Sequence, residues 1–178
     1  TGIGDLGDFL FMPFTGENKL NPGTNEAPDE GYRSRFSHTN EIAEPGYYFV
    51  DLLDYNIKAE LTASKRVGFH KYQFEEGAQK KLLIDFVHSL QNRNVVNSGV
   101  EVISDKELRG YRQMNGWAPD RYIYFHAVFS QPFDVEIFNK GLHLKDAKTA
   151  QGKKLLSVLT FKDDVDEERL LNDLEKLL

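Results

Sequence analysis

Pro45–Phe74, PGYYFVDLLDYNIKAELTASKRVGFHKYQF, is a run built on a period of two. Tyr48, Val50 and Leu52 alternate with Tyr47, Phe49 and Asp51; Ile57, Ala59, Leu61 and Ala63 alternate with Lys58, Glu60, Thr62 and Ser64. That period sends successive side chains to opposite faces of a strand, so one face is buried and the other wet. The breaks are short, Asp54-Tyr55-Asn56 and Ser64-Lys65. Links of that length make antiparallel hairpins, because a parallel crossover takes about a dozen residues or more. The stretch predicts three strands of one antiparallel sheet, with the rest of the chain laid beside it.

The same pattern continues on either side. A Gly-rich loop leads into a short apolar strand, Asp8–Met12, and Thr15–Gly31 has the Gly, Pro, Asn and Asp content of a long surface loop. Further strands are predicted at Lys81–Val87, with Leu82, Ile84 and Phe86 on one face. After a polar turn at Gln91–Ser98 they follow near Gly99–Ser104, Glu107–Gln113, Phe133–Phe138 and Lys154–Lys162. Arg121–Ser130, RYIYFHAVFS, is apolar on both faces and predicts a central strand. Short alternating strands with regular turns predict a β-sandwich over residues 1–162. From Asp164 the period changes: Leu170, Leu171, Leu174, Leu177 and Leu178 fall on one helical face, and Asp164 with Glu167 resembles an N-cap pair. Residues 163–178 therefore predict one C-terminal amphipathic helix, either the start of a linker or a cap on the sheet.

Composition bounds the function classes. The chain has 178 residues, 40% of them hydrophobic, enough for one domain with a substantial core. A net charge of −6 with scattered Lys and Arg argues against a nucleic-acid partner. With no cysteine, disulfides, thiolate metal sites and a cysteine nucleophile are excluded. No apolar run approaches a membrane span, and no signal peptide is present. A first residue Thr1 inside a glycine-rich segment points to a processed or excised piece.

Several constellations carry possible chemistry. Gly2-Ile3-Gly4-Asp5-Leu6-Gly7 satisfies G-x-G-x-x-G, but the nucleotide fingerprint needs a strand before it and a helix after it. A glycine loop closely approached by backbone or a polar ligand is the better reading. Asp5 and Asp8 form a carboxylate pair that could act as acid and base or bind a hard cation; capping of their own turn is the commoner role. His38 and Glu41 are spaced H-x-x-E without a further ligand nearby, and His70 and His126 sit inside strands, where packing explains them. Trp117 lies in the loop Asn115–Pro119. It fits equally a ring stacked on the apolar face of a sugar and a plug between sheet edges or domains.

Five stretches in order, TGIGDLGDFLFMP (Thr1–Pro13), SRFSHTNEIAEPGYYFVDL (Ser34–Leu52), IKAELTASKRVGFHKYQF (Ile57–Phe74), SDKELRGYRQMNGWAPDRYIYF (Ser104–Phe125) and FSQPF (Phe129–Phe133), resemble the N-terminal domain of glycoside hydrolase family 92. These are calcium-dependent exo-α-mannosidases. The resemblance covers about the first 160 residues and departs after Thr160-Phe161-Lys162. It implies a mostly β, antiparallel sandwich of the galactose-mutarotase, or supersandwich-like, kind. It also implies that the general acid, the general base and most calcium ligands come from a helical-barrel catalytic domain following the sandwich. No catalytic or metal-binding residue carries over to this chain, and calcium is a cofactor of the parent.

The expected function is that of the sandwich domain of an inverting exo-α-mannosidase acting on mannose-containing glycans, secreted, periplasmic or at the cell surface. The domain would pack against the barrel and complete its sugar pocket. Gly4, Asp5, Asp8 and Trp117 are the candidate substrate-binding residues. Two other readings remain open. One is a stand-alone carbohydrate-binding module with Trp117, Tyr111 or Tyr122 in an aromatic platform. The other is a structural fragment whose apolar interface the Leu170–Leu178 helix covers.

Overall fold

The structure, a computed structural model, describes residues 7–90 and 94–162. The C-terminal helix predicted over 163–178 lies outside the described residues, as do Gly4 and Asp5. In chain order the strands are β1 (Leu10–Phe14), β2 (Glu41–Glu44), β3 (Tyr47–Leu52), β4 (Ile57–Ala63), β5 (Gly68–Gln73), β6 (Lys81–Asp85), β7 (Asn94–Val102), β8 (Glu107–Asn115), β9 (Arg121–Val128), β10 (Phe133–Asn139), β11 (Leu142–His143), β12 (Thr149–Gly152) and β13 (Leu155–Phe161). Two single-turn 3₁₀ helices, Pro28–Glu30 and His38–Asn40, interrupt the long connection after β1. Among the described residues no helix is long and apolar enough to cross a membrane.

The strands form a five-stranded sheet in the order β1-β6-β13-β10-β11 and two four-stranded sheets, β12-β7-β8-β9 and β2-β3-β4-β5. Every pairing is antiparallel. The five-stranded sheet is the centre. Leu82, Ile84 and Phe86 point from it onto Val100 and Leu108 of the β7–β8 pair, with Ile137, Leu155 and Leu159 alongside. On its other face Leu83, Met12, Phe14 and Val158 pack beneath Tyr32. Packing on both faces explains why β6 and most of β13 are continuously buried, with Leu82-Leu83-Ile84 an unbroken apolar run rather than an alternating one.

The long connection predicted as a surface loop is polar at Thr15–Gly31 and then closes down onto this second face. Tyr32 donates its hydroxyl to Asp85 Oδ2 at 2.7 Å, and Lys81 Nζ donates to the Gly16 carbonyl at 2.7 Å. Asp85 is buried yet satisfied: its other oxygen accepts the amides of Val87 and His88 at 2.6 and 2.9 Å.

The three strands of Pro45–Phe74 are present as β3, β4 and β5, paired as hairpins. Their sheet is not the frame, however. Only Val50, Ile57 and Ala59 of these strands are buried, and β5 holds no buried residue. Alternation marks a half-wet sheet, whereas the frame is built from the strands that lack it.

The second correction concerns Arg121–Ser130. It forms β9, which is at the edge of its sheet, and its residues alternate between half-buried and exposed. Tyrosine accounts for the difference: Tyr122 and Tyr124 read as apolar in the pattern, but a phenol keeps its hydroxyl in water and can face solvent. The polar turn after β6 is also shorter than expected, since Asn94–Ser98 belong to β7, with a register shift between Val95 and Asn97. Edge strands β2, β11 and β12 have no counterpart in the sequence reading because they are short and largely exposed.

Candidate functional site

Strands β8 and β9 alternate, and one set of their residues points inward: Leu108, Gly110, Arg112 and Met114 from β8, Arg121 and Phe125 from β9. Arginine among leucine and methionine is the anomaly in that set. Arg112 is 0% exposed. Its guanidinium donates to the carbonyls of Phe86 (3.2 Å) and His88, and to Asp8 Oδ1. Arg121 reaches the same Asp8 oxygen at 3.1 Å, and both guanidiniums also meet the Met114 sulfur, at 3.4 and 2.9 Å. A buried guanidinium must be paired to be tolerated, and Asp8 is the partner.

The pair fastens the Gly-rich segment to the sandwich. Gly7 has a φ of +85°, where a side chain would be strained and would also meet Leu90 at 2.8 Å. Phe9 has a φ of +55°, unusual for an aromatic residue. Its ring is held edge-on to Phe86 (5.7 Å) and Phe125 (4.8 Å), with the Arg112 guanidinium 5.4 Å above it. Packing and charge on three sides over-determine this turn, which offsets its backbone strain. After it comes strand β1 rather than a helix, so the G-x-G-x-x-G segment lacks the helix N-terminus a pyrophosphate needs.

Trp117 sits in the β8–β9 turn, whose two ends carry Met114 and Arg121 of the Asp8 cluster. It is 80% exposed. Asp120, at φ +54°, shapes this turn: its amide donates to Asn115 Oδ1 at 3.1 Å, and Gln113 Nε2 donates to its carboxylate at 2.5 Å. The fold therefore brings Asp8 and the Trp117 turn to one end of the sandwich. The pairing with Arg112 makes Asp8 a tether rather than a free acid or base. Sequence reasoning missed Arg112 and Arg121; the available signal was an arginine at the inward positions of otherwise apolar strands.

The histidines singled out in the sequence sit in local networks. His38 Nδ1 lies 2.5 Å from Glu41 Oε2, and Glu41 Oε1 accepts the Tyr48 hydroxyl at 2.6 Å. That hydroxyl holds the Glu41 carboxyl below the usual range, with His38 adding to it, while burial and Glu41 push Tyr48 up to about 12. His70 Nδ1 lies 2.7 Å from the Tyr72 hydroxyl, with its ring edge-on to Phe11. His126 on exposed β9 lies 3.4 Å from Glu107. Among the described residues no three His, Asp or Glu side chains gather closely enough to hold a metal ion.

The family model described as glycosyl hydrolase family 92 N-terminal domain matches residues 1–171, past the point where the tail departs. No curated protein matches the chain. Among solved structures, the family GH92 α-mannosidase BT3965 from Bacteroides thetaiotaomicron is 40% identical, with a TM-score of 0.84 over 91% of this chain and 23% of that one. The same mannosidase has been solved with mannoimidazole. The GH92 family glycosyl hydrolase ccman5 is 29% identical, with a TM-score of 0.70 over 88% of this chain and 22% of its own. The inverting mannosidase BT2199 from Bacteroides thetaiotaomicron VPI-5482, 22% identical with a TM-score of 0.69, shares the fold. The chain thus spans about a quarter of the length of these solved relatives.

Proposed function

Because the chain belongs to glycosyl hydrolase family 92, as its N-terminal domain, we propose that it is the scaffold half of an inverting exo-α-mannosidase acting on mannose-containing glycans. The helical-barrel catalytic domain of the same parent supplies the general acid, the general base and the calcium ligands. This sandwich packs against that domain and shapes one wall of the sugar pocket with the end that carries Asp8 and Trp117. A glycan-trimming role places the parent at the cell surface, in the periplasm or outside the cell.

The observation that carries this reading is the state of Asp8. Its carboxylate is committed to two guanidiniums, one of them fully buried. Such an arrangement holds a loop in register and leaves no reactive carboxylate to share. In an inverting glycosidase the acid and base flank the bond with a water between them, a geometry that a tethered aspartate does not serve. Calcium in the parent would bind sugar hydroxyls; the residues described here contribute positioning of a loop and an exposed indole.

Two measurements test it. The purified chain with calcium should not turn over an aryl α-mannoside; chelator-sensitive turnover would overturn the scaffold reading. Replacing the matched segment of the BT3965 mannosidase with this chain, 40% identical to it, should retain activity. A chimaera that folds but is inactive would count against the reading.

A further inference from the structure

The outer face of the β12-β7-β8-β9 sheet carries aromatic surface that the fold does not use. Tyr111 of β8 lies opposite Tyr124 of β9, and Tyr122 stands two residues away on the same side. Tyr122 and Tyr124 are 47% and 70% exposed. Their rings are nearly parallel, 12° apart with centroids at 6.3 Å, and Tyr111 continues the row at 6.1 Å from Tyr124. Gly99 on β7 makes room for it: a Cβ there would lie 2.2 Å from the Tyr111 ring. The row borders a groove of about 680 Å³, whose other walls include Glu101, Arg109, His126 and Gln151.

We propose that this face binds a saccharide chain, with Tyr111, Tyr122 and Tyr124 as the stacking platform. A pyranose ring presents an apolar C–H face and a rim of hydroxyls. It therefore needs an exposed ring face to lie on and donors and acceptors at the edge of that ring. Both are here. Arg109 donates to Glu101 at 2.9 and 2.7 Å, Asn97 donates to the Tyr111 hydroxyl at 3.0 Å, and His126 faces Glu107 at 3.4 Å. The face does not suit the other large partners. A phosphate backbone requires unpaired cations, whereas Arg109 is neutralised by Glu101 and the chain is net negative. The centre of a protein interface is depleted of charge, whereas this face carries the Arg109–Glu101 ion pair beside the rings. The platform stands on its own geometry; the choice of an α-mannan as first probe rests on the family 92 function proposed above.

Native electrophoresis of the chain in gels cast with yeast mannan, xylan or a soluble β-glucan tests the platform, alongside ring-¹³C-tyrosine spectra titrated with α-1,2-mannobiose. Retardation in at least one gel is expected. The double variant Tyr122→Ala/Tyr124→Ala should weaken it by at least about tenfold, equivalent to ~1.4 kcal/mol, while Leu142→Ala, exposed on β11 at the edge of the five-stranded sheet, leaves it within about twofold. Both rings are exposed, so the double variant should keep the wild-type melting curve, and the spectra of the unsubstituted chain report on the rings without any variant. Retardation confined to xylan or β-glucan keeps the platform and counts against the mannosidase assignment. Mobility unaffected in every gel, retardation that survives the double variant, or an equal loss in Leu142→Ala overturns the proposal. So does a wild-type dimer in sedimentation that the double variant dissociates, because the face would then be a protein contact.

Discussion

Asp8 and Arg112 are separated by most of the described chain and meet in a site where a lone charge cannot be left. Removing one partner of a buried pair strands the other. Asp8→Ala should therefore destabilise the chain by about 3–5 kcal/mol, read as a shift in the urea midpoint at unchanged slope. A carboxylate kept for chemistry would behave differently, since its removal would leave stability intact or improve it. Tyr32 is a neutral counterpart. Burial and the neighbouring Asp85 push its phenol far above the usual tyrosine range, so it acts only as a donor. Tyr32→Phe leaves the buried Asp85 oxygen without that donor and should cost about 1–3 kcal/mol in the same assay. Trp117→Ala, at an exposed turn, should change stability by no more than about 0.5 kcal/mol. Stability unaffected by Asp8→Ala would remove the tether and with it the positioning role given to Arg112.

The hairpins of the β2-β3-β4-β5 sheet respond to acid in a direction the local contacts set. Arg35 donates to Asp54 through its backbone amide at 2.6 Å and its Nε at 2.7 Å, and this bonding holds the Asp54 carboxyl below its ordinary value. The Tyr48 hydroxyl does the same to Glu41. A carboxyl with a lowered folded-state pKa stabilises fully above the unfolded value of about 4. That contribution is lost as the pH falls through the lowered folded value. Melting temperature should therefore drop on acidification below about pH 4, and Asp54→Asn should flatten part of that slope. An unchanged slope in Asp54→Asn would show that the Arg35 contact contributes nothing in solution. Element assignment from sequence succeeded where alternation was clean, as in β3, β4 and β8. It misplaced β9 because periodicity does not distinguish a tyrosine facing water from a phenylalanine facing a core. Strand β2 was missed since it is only four residues long and its apolar pair, Ile42 and Ala43, is adjacent rather than alternating and exposed.

At the scale of the molecule, the chain is a sandwich whose central sheet is buried on both faces, an arrangement that makes a scaffold. It accounts for about a quarter of the length of its solved relatives, which is why the proposed activity belongs to the parent and the proposed surfaces to this domain. Antiparallel pairing, the mostly β class and the family were all legible in the linear order of residues. Periodicity and short turns are local properties, and a family resemblance is a property of order. Which strands form the centre was not legible, because burial on a second face depends on the connection folding back with Tyr32. Nor was the Asp8–Arg112–Arg121 cluster or the Tyr111–Tyr122–Tyr124 row. Each joins residues from different strands, and only register and sheet order decide which of them become neighbours and whether they face the core or the water.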